Sequence, residues 1–195
     1  MKATLPPAAT LRRWTRVEYE RLIELGVFPS GERLELVDGL LDVREPQSAR
    51  HAAGIRRVLA ALREVLGPDW QIDSQLPLAL EATSEPEPDV SVVAADADHY
   101  REAHPSRALL IVEVADTSYR IDHDFKTSLY ARARVPECWI VDLRRNVVEV
   151  HRHPQESEAA PSGWRYARIE TLRPPAIIAP LLVPATTIAV ADLLP

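Results

Sequence analysis

The chain has 195 residues, 46% of them hydrophobic, with 17 Pro, 6 Gly, one Cys and a formal net charge of −6. That apolar content is too high for a disordered polypeptide and the glycine content too low for a collagen-like one, so a folded domain is expected. A single Cys excludes an internal disulfide, no Cys/His framework has zinc-finger spacing, and a reducing, cytoplasmic setting is expected.

Residues 1–11 are rich in Pro and Ala, lack the long apolar core of a signal peptide behind Lys2, and are expected to be poorly ordered. Residues 12–195 are expected to form one domain, since a chain of this length buries roughly 70% of its unfolded surface in a single core. Thr15, followed three residues later by Glu18, is a capping-box signal for a short helix ending at Gly26. Residues 33–45, RLELVDGLLDVRE, alternate apolar and polar side chains around Asp38-Gly39, the chemistry of a tight hairpin. After Ser48, the residues Ile55, Val58, Leu59, Leu62, Val65 and Leu66 recur at helical spacing until Gly67 and Pro68 stop the helix. Residues 70–80 and 89–94 read as strands on either side of the loop TSEPEP. Residues 108–115, ALLIVEVA, are a nearly unbroken apolar run, the mark of a central strand covered on both faces. A second helix fits residues 123–134, with Phe125, Leu129 and Tyr130 on one side, and Pro136 ends it before ECWIVDL, which pairs as a hairpin with VVEVHRH. Residues 164–169 add another strand, while Pro174, Pro175, Pro180 and Pro184 obscure the remainder. No stretch approaches eighteen uninterrupted apolar residues, so no transmembrane helix is expected. The order of elements indicates an α/β or α+β fold around one central mixed sheet.

The negative balance argues against a broad electrostatic surface for nucleic acid, because phosphate contacts supply most non-specific affinity. Carboxylates that hold a divalent cation can meet a phosphate instead. Strand alternation puts Glu113 on the same face as Leu109 and Ile111, so its carboxylate either reaches solvent at the strand end or has a partner. Asp89 begins a neighbouring run behind Pro88. If the two strands pair, Asp89 and Glu113 can present oxygens to one hard cation, since Mg²⁺ favours one or two carboxylates plus water and phosphate oxygens. Taken singly, each has an ordinary reading, a solvated strand end or a turn cap.

Lys126 stands out by composition: it and Lys2 are the only lysines, leaving 23 − 2 = 21 arginines. A compact ammonium can direct one donor at a water or a phosphoryl oxygen where a guanidinium fork would not fit. Its ordinary reading is an i,i+4 surface pair with Asp122. Glu35 lies in the first hairpin between Leu34 and Leu36, and His51 in the first turn of the long helix; an outward strand residue and a partly exposed helix residue are their plain readings. His151 and His153, at i,i+2 with no third ligand in view, read as a solvated strand face, and Cys138 as a small buried hydrophobe. No G-x-S-x-G elbow, Walker loop or dinucleotide-binding glycine pattern occurs, so serine hydrolase, NTPase and Rossmann readings lose support.

Taken in order, RLELVDGLL, the helix beginning near His51, EPDVSVV, LLIVEVAD, the spacing of Asp122 and Lys126, Tyr130 and VPECWIVDL resemble the Uma2 family, from about Arg12 to the C-terminus. That family is a branch of the PD-(D/E)XK nuclease superfamily, related in fold to restriction endonucleases. The resemblance implies a restriction endonuclease-like core, a central mixed sheet flanked by helices. It implies an endodeoxyribonuclease that hydrolyses DNA phosphodiester bonds with Mg²⁺ or Mn²⁺ as cofactor, and by analogy a homodimer. Asp89 and Glu113 would be the paired metal carboxylates and, with Lys126, the catalytic set, while Glu35 would approach the metal from the hairpin. The lysine that usually stands two residues after the Glu is Ala115 here, and Lys126 on the following helix matches its replacement. Asp116-Thr117 stands where such proteins usually carry Ser-Pro, and Arg134 where they usually have Gly. The rival readings are an inactive nuclease-fold binding module, or a homodimeric interaction protein whose apolar run at residues 139–150 forms an interface.

Overall fold

The computed structural model describes residues 12–44, 46–95, 99–116 and 121–195. The expected disordered segment at residues 1–11, Thr117 and the side chain of Asp122 lie outside what is described.

Helix α1 (Arg16–Glu24) begins on the expected capping box: the Glu18 amide donates to Thr15 Oγ1 at 3.3 Å and the Thr15 amide to the Glu18 carboxylate at 3.0 Å. Strands β1 (Leu34–Val37) and β2 (Leu40–Val43) form the expected hairpin. Its turn needs two left-handed residues, supplied by Asp38 at φ 48° and Gly39 at φ 77°. This hairpin is a separate two-stranded sheet, tied to the acidic loop by paired backbone hydrogen bonds between Leu36 and Glu85.

The central sheet has six strands in chain order: β3 (Trp70–Asp73), β4 (Val90–Ala94), β5 (Leu110–Ala115), β6 (Glu137–Asp142), β7 (Val147–Glu156) and β8 (Trp164–Leu172). Every neighbouring pair is antiparallel except β5 and β6, so the sheet is mixed. A parallel step requires a crossover, and here it carries a π-helical turn (Ile121–Lys126) followed by α3 (Thr127–Arg132). Strand β5 is buried along its whole length, as its apolar run predicts.

Alternation along β5 divides the core. Val112 and Val114 face α2 (Ala49–Val65), which lays Ile55, Val58 and Leu62 on that side. Gly54 is required there, because a Cβ would stand 2.7 Å from Val114 Cγ1. The same layer is completed by the proline-rich tail, folded as β9 (Ile177–Ile178), β10 (Ile188–Ala189) and α4 (Val190–Leu193), whose Ile178, Ile188, Val190 and Leu193 are buried. Ile111 and Ala115 face the other layer, with Leu129 and Tyr130 of α3, Cys138, Ile140 and Tyr166.

Three expectations are corrected. The strand expected over residues 70–80 stops at Asp73; Gln75 turns to φ 56°, and the following loop runs along the acidic loop, with Gln75 and Leu78 amides donating to the Pro88 and Pro86 carbonyls. Two prolines with no N–H to return cannot complete a ladder. The helix expected over residues 123–134 opens as a wider π turn, which breaks the 3.6-residue register and leaves Phe125 57% exposed while Leu129 and Tyr130 are fully buried. The apolar run at residues 139–150, considered as an interface, is instead consumed by the chain's own core: all of β6 and the first five residues of β7 are buried. Among the described residues, no helix is long and apolar enough to cross a membrane.

Candidate active site

The register that pairs Val90 with Val112 sets Asp89, the residue just before β4, across from Glu113 on β5. The Asp89 amide lies 3.3 Å from Glu113 Oε2 and donates to it, while Asp89 Oδ2 accepts the Val114 amide at 2.9 Å. Each carboxylate is therefore anchored by the other strand's backbone. Glu35 comes in from β1 and Lys126 from the last residue of the π turn. Lys126 Nζ is 2.8 Å from Glu35 Oε1 and 3.5 Å from Glu113 Oε1. Glu35, Asp89, Glu113 and Lys126 are each no more than 1% exposed. Lys126 is thus no surface lysine, and the four residues that sequence singled out lie in one buried cluster.

The structure adds members that sequence reasoning did not name as site residues. Arg44, just beyond β2, reaches Glu35 Oε1 at 3.0 Å through Nη1 and Asp89 Oδ1 at 3.4 Å through Nη2. The signal was available: Glu35 pairs with Asp42 across the hairpin, and period-two alternation puts Arg44 on the same face as Asp42. The Tyr130 hydroxyl donates to Glu113 Oε1 at 2.5 Å, and the Gln75 side chain donates through Nε2 to Asp89 Oδ1 at 3.3 Å. His51, given an ordinary helix role by its sequence, lies 2.8 Å from Asp89 Oδ2 through Nε2.

The charges explain how such a cluster survives burial. Burial alone would raise the Glu35 carboxyl, but Lys126 and Arg44 outweigh it and hold Glu35 below the usual carboxylate range. Burial likewise opposes ionisation of Asp89; the His51 hydrogen bond and charge, the Val114 amide and Arg44 bring it below its ordinary value. His51 answers in kind: burial disfavours its charged form, and Asp89 more than compensates, raising it. Burial, then the negative charges of Glu113 and Glu35, push Tyr130 well up, so its hydroxyl stays protonated and serves as a donor.

The remaining sequence candidates lie elsewhere. Asp116, the first residue of the pair that departs from Ser-Pro, is engaged with Ser48 Oγ at 2.9 Å and with Arg144 at 3.9 Å. His151 is not on a solvated face: it is 2% exposed and packs edge-on to Tyr166, whereas His153 is exposed at φ 62°. Cys138 is buried in the α3-side core.

Asp89 and Glu113 are hard oxygen donors on adjoining strand positions, which fits the one or two carboxylates that Mg²⁺ or Mn²⁺ takes from protein. Glu35 has a different set of partners: its Oε1 accepts from Lys126 and Arg44 and its Oε2 from the Glu87 amide at 3.0 Å. Among the described residues, no group of three His, Cys, Asp or Glu side chains is set to hold a metal. Asp89 and Glu113 thus form an acidic pair with a lysine beside it.

Residues 16–191 match the family model of Uma2, described as a putative restriction endonuclease. The fold is similar to the crystal structure of an Anabaena variabilis protein described as a putative nuclease belonging to DUF820, with a TM-score of 0.65 and 16% identity, over 88% of this chain and 96% of that one. At that identity the likeness bears on fold alone. No curated protein matches the chain.

Proposed function

The chain belongs to the Uma2 family, and on that premise we propose that it is an endonuclease that hydrolyses DNA phosphodiester bonds with Mg²⁺ or Mn²⁺ held by Asp89 and Glu113. A nuclease-like function follows from the family; the metal, the DNA substrate, and action as a cytoplasmic homodimer are the finer reading. The observation that carries it is the buried convergence of Asp89 and Glu113 with the Lys126 ammonium, 3.5 Å from Glu113.

When bound, the divalent cation supplies positive charge to the scissile phosphoryl oxygen. The protein groups do the positioning. Lys126, held by Glu35 and Glu113, directs its ammonium donors at the attacking water and at the charge that grows on the phosphoryl oxygens. Glu35 sets the lysine in place, which is the role its contacts support better than metal ligation. Tyr130 fixes Glu113, while Gln75, His51 and the Val114 amide fix Asp89, so neither carboxylate has to reorganise during the reaction. In the hydrolysis a water oxygen bonds to phosphorus and the bond from phosphorus to the leaving sugar oxygen breaks. The water loses one proton and the leaving oxygen gains one.

Purified protein should nick supercoiled plasmid in Mn²⁺ and lose that activity in EDTA and as Asp89→Asn. Equal nicking by Lys126→Ala would remove Lys126 from the mechanism. The second reading, an inactive nuclease-fold binding module, draws on the engagement of the site carboxylates by the chain's own Arg44, Lys126 and His51, and on the net charge of −6. It predicts no thermal shift with Mg²⁺ or Mn²⁺.

A further inference from the structure

Arg44 stands apart from the other residues of the cluster. Its guanidinium spans Glu35 and Asp89, at 3.0 and 3.4 Å, and the negative charge of Glu113 also acts on it. A cation shared by Asp89 and Glu113 must draw on the same negative charge. Arg44 and Lys126 already set two positive charges against Glu35, Asp89 and Glu113, so a divalent cation entering between Asp89 and Glu113 meets like-charge repulsion, which weakens as the Arg44 fork moves off Asp89. Arg44 is also built to withdraw. Its side chain is 14% exposed where Lys126 is 1% exposed, it sits just past the end of a short strand, and its longer contact is the one to Asp89.

We propose that Arg44 is the internal counter-cation of the metal site: it steadies Glu35 and Asp89 before metal arrives and gives up Asp89 when the metal binds. The proposal rests on the reading that Asp89 and Glu113 hold a divalent cation. Arg44 remains anchored to Glu35 through its other nitrogen, and the fork freed from Asp89 is a match for a phosphodiester oxygen. Metal affinity is thereby set by competition with a residue of the protein itself, and a substrate phosphate that takes the released guanidinium favours metal entry by the same linkage.

The test is calorimetric titration of Mn²⁺ into the full-length metal-free protein, with Arg44→Gln and Arg44→Lys beside the wild type. Arg44→Gln keeps a hydrogen-bonding amide and drops the charge. It should bind Mn²⁺ about tenfold tighter or more, the scale of one nearby charge removed from a partly buried site, while its metal-free melting temperature falls. Arg44→Lys, which keeps the charge on a shorter reach, should fall between. A folded Arg44→Gln with wild-type or weaker Mn²⁺ affinity overturns the role of Arg44 and leaves the metal reading standing. Absence of Mn²⁺ binding in every protein overturns both. Should Arg44→Gln not fold, a wild-type crystal grown with Mn²⁺ decides: the ion on Asp89 and Glu113 with Arg44 still hydrogen-bonded to Asp89 refutes the proposal, and Arg44 moved off Asp89 supports it.

Discussion

Replacing Lys126 by Met preserves an unbranched stem in a fully buried position and deletes a single charge. Breaking a buried ion pair costs about 3–5 kcal/mol, because the partner is left as an uncompensated charge. Here Glu35 retains Arg44 at 3.0 Å and Glu113 retains the Tyr130 hydroxyl, so the lower end applies, about 3 kcal/mol at pH 8. For a chain of this size that is a fall of roughly 6–12 °C in melting temperature. The pH dependence separates lost charge from lost packing. In the wild type Glu35 is held below its unfolded value, so its pairing stabilises the fold above that value and is lost as pH falls through the folded one. Without Lys126 the largest influence left on Glu35 is burial, which raises it; where that brings it above the unfolded value, the fold of the variant gains stability as pH drops. The deficit should therefore shrink between pH 8 and pH 5. Urea denaturation at the two pH values measures it, and adding Glu35→Gln to the variant should recover at least half of the loss at pH 8. An equal deficit at both pH values, or one under about 1 kcal/mol at pH 8, would refute the electrostatic account of the cluster.

Asp89→Asn should lower the His51 titration midpoint, followed by NMR of its ring protons, to or below the ordinary value of about 6.5, since Asp89 is what offsets the cost of burying that ring. In the wild type the raised His51 value stabilises fully below the unfolded value and fades as pH rises through the folded one; an unchanged midpoint in the variant contradicts the assignment. Gly54→Ala sets helix propensity, a gain of about 1 kcal/mol, against a Cβ 2.7 Å from Val114 Cγ1 on a buried strand. Overpacking of this kind costs about 1–3 kcal/mol, so urea denaturation should show net destabilisation, and a stabilised variant would refute it.

Much of this molecule is legible in its sequence because local chemistry and tertiary placement agree. The capping box at Thr15, the Asp38-Gly39 turn and the apolar run of β5 each specify one conformation on their own. The rarity of lysine and the alternation that sets Glu113 on a strand face point to the site from sequence alone. What stayed hidden depends on partners distant in sequence. Nothing local says that residues 74–80 leave the sheet to lie along Pro86 and Pro88, or that a π turn rotates Phe125 outward. Tyr130 reads as one more apolar helix residue until Glu113 lies beneath its hydroxyl. Arg134 follows the same logic: it occupies φ 59° where glycine is usual, and its guanidinium stacks 5.3 Å from the Trp164 ring, a favourable contact set against the backbone strain.

The hairpin that delivers Glu35 pairs with no strand of the central sheet, and Glu35 and Lys126 stand 126 − 35 = 91 positions apart in the chain. The three carboxylates and Lys126 consequently meet, stripped of water, only where hairpin, sheet and crossover are all docked. A copy in which the hairpin alone has come loose keeps Asp89 beside Glu113 and parts Lys126 from Glu35.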